Sequence, residues 1–184
     1  MYSGNVGLSQ SFDLVRRAAD RWRDRPEVHF VINGEGAARP EVEQWAGERS
    51  NVSVVDFQPR ERVSEVLGSA DLHLILLKRG LARSSTPSKL YGILGAGRPV
   101  LASIDEGSEV ARTVAEAEAG TAVPPEDPGA FLAALEDLLG DPAGLRAAGE
   151  RGRDWALRWL TPDAQAERYE ELFTELIEPR RAGR

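Results

Sequence analysis

The sequence contains no cysteine, only two histidines, and no apolar run long enough to cross a bilayer. Without cysteine there can be no disulfide scaffold, no thiol nucleophile and no Cys-ligated zinc. The two histidines, His29 and His73, are too few for His-rich metal chemistry. Both lie inside apolar segments and are expected to be packed residues rather than ligands or bases. A membrane-crossing helix needs about 18 or more apolar residues in a row, and the N-terminus lacks the charged start and apolar core of a signal peptide. A soluble, cytoplasmic chain is the expectation. Basic residues are in the minority, 23 Lys and Arg against 30 Asp and Glu for a net charge of -7, so general nucleic-acid binding is not expected. That balance still permits a local basic pocket for one phosphorylated ligand. No repeat, low-complexity tract or internal linker interrupts the 184 residues, a length that suits one domain with a full core.

What is present is an alternation of strand and helix signals from end to end. Strands are expected at residues 1–3, 28–32, 52–55, 72–77, 99–102 and 121–123. Between them lie helical patterns from Phe12 to Trp22, at 39–49, 60–69, from Pro87 to Gly95 and at 107–117, followed by helices near 127–139 and 141–158. This order predicts an α/β fold, a doubly wound, Rossmann-like parallel sheet of about six strands with helices on both faces. Thr161-Pro162-Asp163 supplies an N-cap, a proline at the first helical position and an acidic first turn for a final helix over 162–178. Ala166, Tyr169, Phe173 and Leu176 form one apolar face of that helix, and Leu172 and Ile177 fall to its side. Apolar character on two sides predicts a helix gripped by more than one partner, with self-association through it. The domain is expected over 1–178 and a disordered tail over 179–184. Because Met1-Tyr2-Ser3-Gly4 reads as a strand already running into a turn, a domain cut from a longer protein is expected.

Ligands of open doubly wound sheets bind beyond the C-terminal strand ends, near the switch in strand order. Two loops there suit phosphate. Gly4 and Gly7 let the backbone approach an anion at a helix start, and Ser84-Ser85-Thr86-Pro87-Ser88-Lys89 offers hydroxyl donors and one cation at another. The plainer alternatives are a tight Gly-x-x-Gly connection in the first loop and simple capping by Ser84 to Thr86 in the second. The Gly-x-Gly-x-x-Gly spacing of dinucleotide binding is missing, although Glu35 lies near where a ribose-binding carboxylate would follow the second strand, and no P-loop pattern occurs.

Residues 84–103 resemble the donor-site segment of family 4 retaining glycosyltransferases of the GT-B fold, most specifically in Pro-Ser-Lys-Leu-Tyr at 87–91 and Ala-Gly-Arg-Pro-Val at 96–100. Ser3-Gly4-Asn5-Val6-Gly7, the segment from Phe30 to Gly36, Asn51-Val52 through Phe57, and Ser69-Ala70-Asp71-Leu72 match in register, closest to the colanic-acid and O-antigen sugar transferases. The resemblance implies metal-independent, retaining transfer from a nucleotide diphosphate sugar, without a cofactor. It gives the donor to this C-terminal half and the acceptor to an N-terminal domain absent from the chain, the whole protein working at the inner face of the membrane. The family's two motif glutamates, one on the donor sugar and one on the ribose, align with Ser84 and Gly92. Its basic diphosphate-binding pair aligns with Asn5 and roughly Ser11. The implied replacements are Lys89, the N–H groups of residues 86–89, and the Gly4 to Gly7 loop, with Lys89 stabilising the leaving diphosphate. The base is expected by Gly34, Gly36, Gln58 and Pro59. The expected donor site is thus Gly4, Asn5, Gly7, Gly34, Gly36, Gln58, Pro59, Ser84, Ser85, Thr86, Ser88, Lys89 and Gly92. A non-catalytic or regulatory descendant of the fold and a sugar-nucleotide 2-epimerase are the alternatives.

Overall fold

A computed structural model describes residues 1–82 and 88–177. Six parallel strands form two three-stranded sheets. The first runs in the order β1 (Tyr2–Ser3), β2 (Phe30–Asn33), β3 (Val52–Val55), and the second in the order β4 (His73–Leu76), β5 (Val100–Ser103), β6 (Gly120–Val123). The two meet edge to edge at β1 and β4. There the Met1 amine donates to the Leu72 carbonyl at 2.6 Å and the Leu74 N–H donates to the Met1 carbonyl at 2.8 Å. That is the spacing of a single parallel bridge, so the strands follow the doubly wound order 3-2-1-4-5-6 and the order reverses between β1 and β4.

Strand composition explains why helices cover both faces. Every residue of β4 and β5 is buried, and successive side chains point to opposite sides. Leu74, Leu76 and Leu101 join a cluster with α1 (Phe12–Arg21), α2 (Arg39–Ala46) and α6 (Pro128–Gly140). Ile75, Leu77, Val100 and Ala102 join another with α4 (Lys89–Gly95), α5 (Glu109–Glu116) and α7 (Pro142–Trp159). Helix starts are set by side chains that accept from orphan amides: Ser108 from Ala111, Asp127 from Ala130 and Asp141 from Gly144. Helix α4 stops where the sequence predicts. Gly97 takes φ +69°, and the N–H groups of Gly97 and Arg98 donate back to Leu94 and Ile93, a Schellman ending. Its described start is Lys89; Pro87 lies outside the described residues.

Two expectations are corrected. The helical stretch at 60–69 is a 3-10 turn, Arg60–Arg62, followed by the short α3 (Val63–Gly68). His29 is not packed in a strand: Val28 closes a turn on the Arg25 carbonyl, and β2 begins only at Phe30. The His29 ring is therefore exposed and meets the Ser53 hydroxyl at 2.8 Å. The final helix, α8 (Pro162–Ile177), has none of its 16 residues buried, so its apolar residues stand open, as the two-sided pattern leads one to expect of this domain by itself. The other histidine is a packed residue, as expected. His73 is fully buried, its Nε2–H donates to the Leu67 carbonyl at 2.9 Å, and burial pulls its pKa down to about 4, so the ring stays neutral.

Candidate functional site

The loops after β1 and β2 are locked together before any ligand enters. Gly4 donates to Asn33 at 2.9 Å, Val6 to Glu35 at 2.7 Å, and Ala38 to Val6 at 2.9 Å. Such close approach requires glycine: a Cβ on Gly34 would lie 1.9 Å from the Gly4 carbonyl oxygen, and one on Gly36 would lie 2.3 Å from that of Val6. Both have strongly positive φ. Gly7 spends its N–H on the Gln10 side chain at 3.0 Å. The N–H groups of Gly4, Val6 and Gly7 are thus engaged within the protein, which favours the plainer reading of this loop as a tight connection.

Arg39, the first residue of α2, fixes the outer edge of the site. It donates to the Gly34 carbonyl at 3.0 Å, pairs with Glu43 at 2.7 Å, and also pairs with Glu35 and Asp56. The hydrogen bonds it donates to Glu43 and Asp56 raise its pKa. Glu35 therefore faces an arginine. Glu35 and Glu43 stand four residues either side of Arg39, but nothing in the sequence spacing announces that Asp56 joins them from the loop after β3.

At the switch between β1 and β4 opens a crevice of about 290 Å³. Ser3, Gly4 and Asn33 line it from the ends of β1 and β2, and Phe57 and Gln58 from the loop after β3. Val63, Val66 and Leu67 of α3 line it too, with Lys89 and Gly92 of α4 and Ser88 just before that helix. Of the expected site residues, Gly4, Gln58, Ser88, Lys89 and Gly92 come together here. Asn5, Gly34, Gly36 and Pro59 frame the adjoining loops without lining it, and Gly7 lines a separate groove between α1 and α2. Ser84, Ser85 and Thr86 lie outside the described residues. Phe57, Asn33 and the α3 wall were not anticipated. Phe57 had a signal, a large apolar side chain just past a strand end; it is 51% exposed on the crevice rim.

Lys89 is not the solvated loop-edge residue that its position suggests. Its side chain is half-buried, with Nζ 3.7 Å from the centroid of the Tyr2 ring. A Cβ built on Gly4 would lie 3.0 Å from that same Nζ, so the glycine makes room for the ammonium. Every ion pair among the described residues uses an arginine, which leaves Lys89 without a carboxylate counter-ion. Burial lowers its pKa to about 7. Tyr2 is held in place by donating its hydroxyl to the Asn5 carbonyl at 2.6 Å. Such a desolvated cation, aimed at a crevice on the rim, is poised for an anionic group.

Residues 1–141 match the family described as "Glycosyl transferases group 1". The chain belongs to this family. The match to the glycosyl transferases group 1 family runs from β1 through α6, so the described crevice falls inside it and α7 and α8 lie outside it. The chain is 34% identical over 143 residues to an Escherichia coli (strain K12) protein named as colanic acid biosynthesis glycosyl transferase WcaI, covering 76% of this chain and 35% of that one. It is 36% identical over 182 residues to the GDP-mannose-dependent alpha-(1-6)-phosphatidylinositol monomannoside mannosyltransferase of Mycolicibacterium smegmatis, covering 94% and 45%. Among solved structures, Anabaena Alr3699/HepE in complex with UDP superposes with a TM-score of 0.74 at 11% identity, over 95% of this chain and 48% of that one. The chain thus spans less than half the length of these glycosyl transferases group 1 relatives and of that neighbour. The family resemblance and the α/β, GT-B-type fold read from the sequence are borne out.

Proposed function

We propose that this chain is the donor-binding half of a retaining glycosyltransferase that takes a sugar from a nucleotide diphosphate sugar. The observation that carries the reading is the crevice at the strand-order switch, which Phe57 and Gln58 line together with Gly4, Ser88 and Lys89. An aromatic face and an amide suit a base, and a half-buried cation suits a diphosphate. Family membership supports sugar transfer, and the name of the Mycolicibacterium relative and the UDP in the Anabaena structure support a nucleotide sugar as donor.

In this reading Lys89 offsets the negative charge that grows on the leaving diphosphate as the bond to the anomeric carbon breaks, which is preorganised electrostatic stabilisation. The acceptor, a glycan or a lipid-linked sugar, would be held by the part of the protein that its relatives have and this chain lacks, at the inner face of the membrane. The donor site works without a resident metal. No helix among the described residues is long and apolar enough to cross a membrane. Titration calorimetry with UDP, GDP and ADP against their monophosphates, with and without EDTA, tests the reading. One diphosphate should bind more tightly than its monophosphate and ignore EDTA; equal affinity across every pair overturns the assignment. One observation favours a non-catalytic descendant: Gly92 stands in the crevice where the family resemblance places a glutamate. Transfer activity from the full-length protein would exclude that alternative.

A further inference from the structure

We propose that the groove between α1 and α2 binds a stretch of neutral glycan, a second site that holds the acceptor or product chain beside the donor crevice. The inference rests on the donor-site reading above. The groove encloses about 460 Å³, against about 290 Å³ for the crevice, and that is a usual size for a small-ligand site. It reaches the same rim, because Gly7, Lys78 and Glu126 line it just past β1, β4 and β6. Gly4 lines the crevice and Gly7 the groove, so three residues of chain, at most about 11 Å, separate the two.

A sugar ring presents apolar C–H faces and a belt of hydroxyls, and the lining answers both. Trp45 supplies a half-buried aromatic ring on which a C–H face can pack. That ring is set in advance: the Arg49 guanidinium lies 5.6 Å from its centroid and is itself held by Asp20 at 2.9 Å. Leu8, 67% exposed, adds apolar surface. Hydroxyls need partners that donate as well as accept, and Gln10 and Gln44 bring amides that do both. The Gln10 oxygen accepts from the Gly7 N–H at 3.0 Å, which leaves its nitrogen end to donate. Ser11 also lines the groove, and its buried hydroxyl has no hydrogen-bond partner among the described residues. Charge selects among ligands. Four carboxylates, Asp13, Glu41, Glu48 and Glu126, stand against two cations, Arg16 and Lys78, so a polyanion is repelled. Yet Asp13 is paired with Arg16 and Arg17, Glu48 lies 3.6 Å from Arg49, and Glu126 accepts from the Arg79 N–H at 3.1 Å, so little uncommitted charge remains for a basic peptide. A neutral glycan meets neither objection.

Heteronuclear NMR of the isotope-labelled chain, titrated with linear hexasaccharides of glucose, of mannose and of galactose, reads the groove residue by residue. At least one sugar should move the Trp45 indole and the Gln10 and Gln44 side-chain amides, whereas UDP, GDP or ADP should move Gly4, Gln58 and Lys89. Trp45→Ala should weaken sugar binding about tenfold or more, and Gln44→Ala, at an exposed position, about threefold, which keeps the test decisive if the first variant does not fold. Silence of the groove signals with all three sugars overturns the inference, and a nucleotide response in the same sample leaves the donor-site reading standing. Sugar binding undiminished in both folded variants overturns it too, as does a response to hexalysine and to no sugar, which would make the groove a peptide site. A sugar response with no nucleotide response overturns the donor-site reading alone.

Discussion

At pH 7 Lys89 sits at its own titration point, since burial lowers its pKa to about 7. A diphosphate beside it would favour the charged form and raise that value. Binding is then strongest and flat below about 7, and weakens as pH rises, because the free protein has lost a proton that the complex must regain. Affinity measured from pH 6 to pH 9 should show that decline in wild type and not in Lys89→Arg, whose guanidinium stays charged. Lys89→Ala should cost about 1.5 to 3 kcal/mol of diphosphate binding, the value of a charged hydrogen bond. The sign for folding is opposite. A lysine whose folded pKa lies below its unfolded one binds fewer protons folded, so its stability penalty is complete below about 7 and fades as pH rises towards 10.5. Lys89→Met should therefore melt higher than wild type at pH 6, with the gap closing by pH 10. The sequence identified Lys89 as a phosphate ligand candidate but not its surroundings, because Tyr2 and Gly4 reach it from the far end of the chain.

Elements were the most legible level. Alternating apolar runs and helical spacing located all six strands and most of the helices between them, because both patterns depend on neighbours in sequence. The weaker reading came at 60–69, where a polar start made a 3-10 turn before α3. What holds α4 against the crevice was not legible, because it depends on two helices distant in sequence. A Cβ on Gly149 of α7 would lie 2.3 Å from the Gly97 carbonyl oxygen, and one on Gly152 would lie 2.9 Å from Leu94. Backbone cannot move aside as a side-chain tip can. Gly149→Val should destabilise the fold by about 1 to 3 kcal/mol through overpacking, read as a lower Tm. Since α4 carries Ser88, Lys89 and Gly92 at its start and middle, nucleotide affinity should fall with it.

On the scale of the whole molecule, α8 is the feature with no counterpart inside the domain. Tyr169, Phe173, Leu176 and Ile177 are 58%, 55%, 73% and 79% exposed, and Leu157 and Trp159 extend the apolar surface onto α7. The two-sided pattern was visible in the sequence, but which partner covers it is not written in the helix itself. An isolated domain with this surface should self-associate, and Phe173→Glu should shift it towards monomer in sedimentation velocity. A clean wild-type monomer at high concentration, with α8 amides as protected from exchange as β4 and β5, would show that the helix belongs to this domain alone.

The seam between β1 and β4 is laced in an unusual way. Among the described residues few main-chain bonds cross it, the Met1 bridge and the bond from the Lys78 N–H to the Ser9 carbonyl, yet one apolar cluster runs from Ile32 and Tyr2 across to Leu74, Leu101 and Phe131. Side chains, not backbone, hold the halves together. Neither sheet can therefore part from the other without wetting that common interior, and heat or denaturant meets no internal fault line to open along. Two half-sheets that share their oil melt as one body, and the crevice on their boundary lasts as long as the body does.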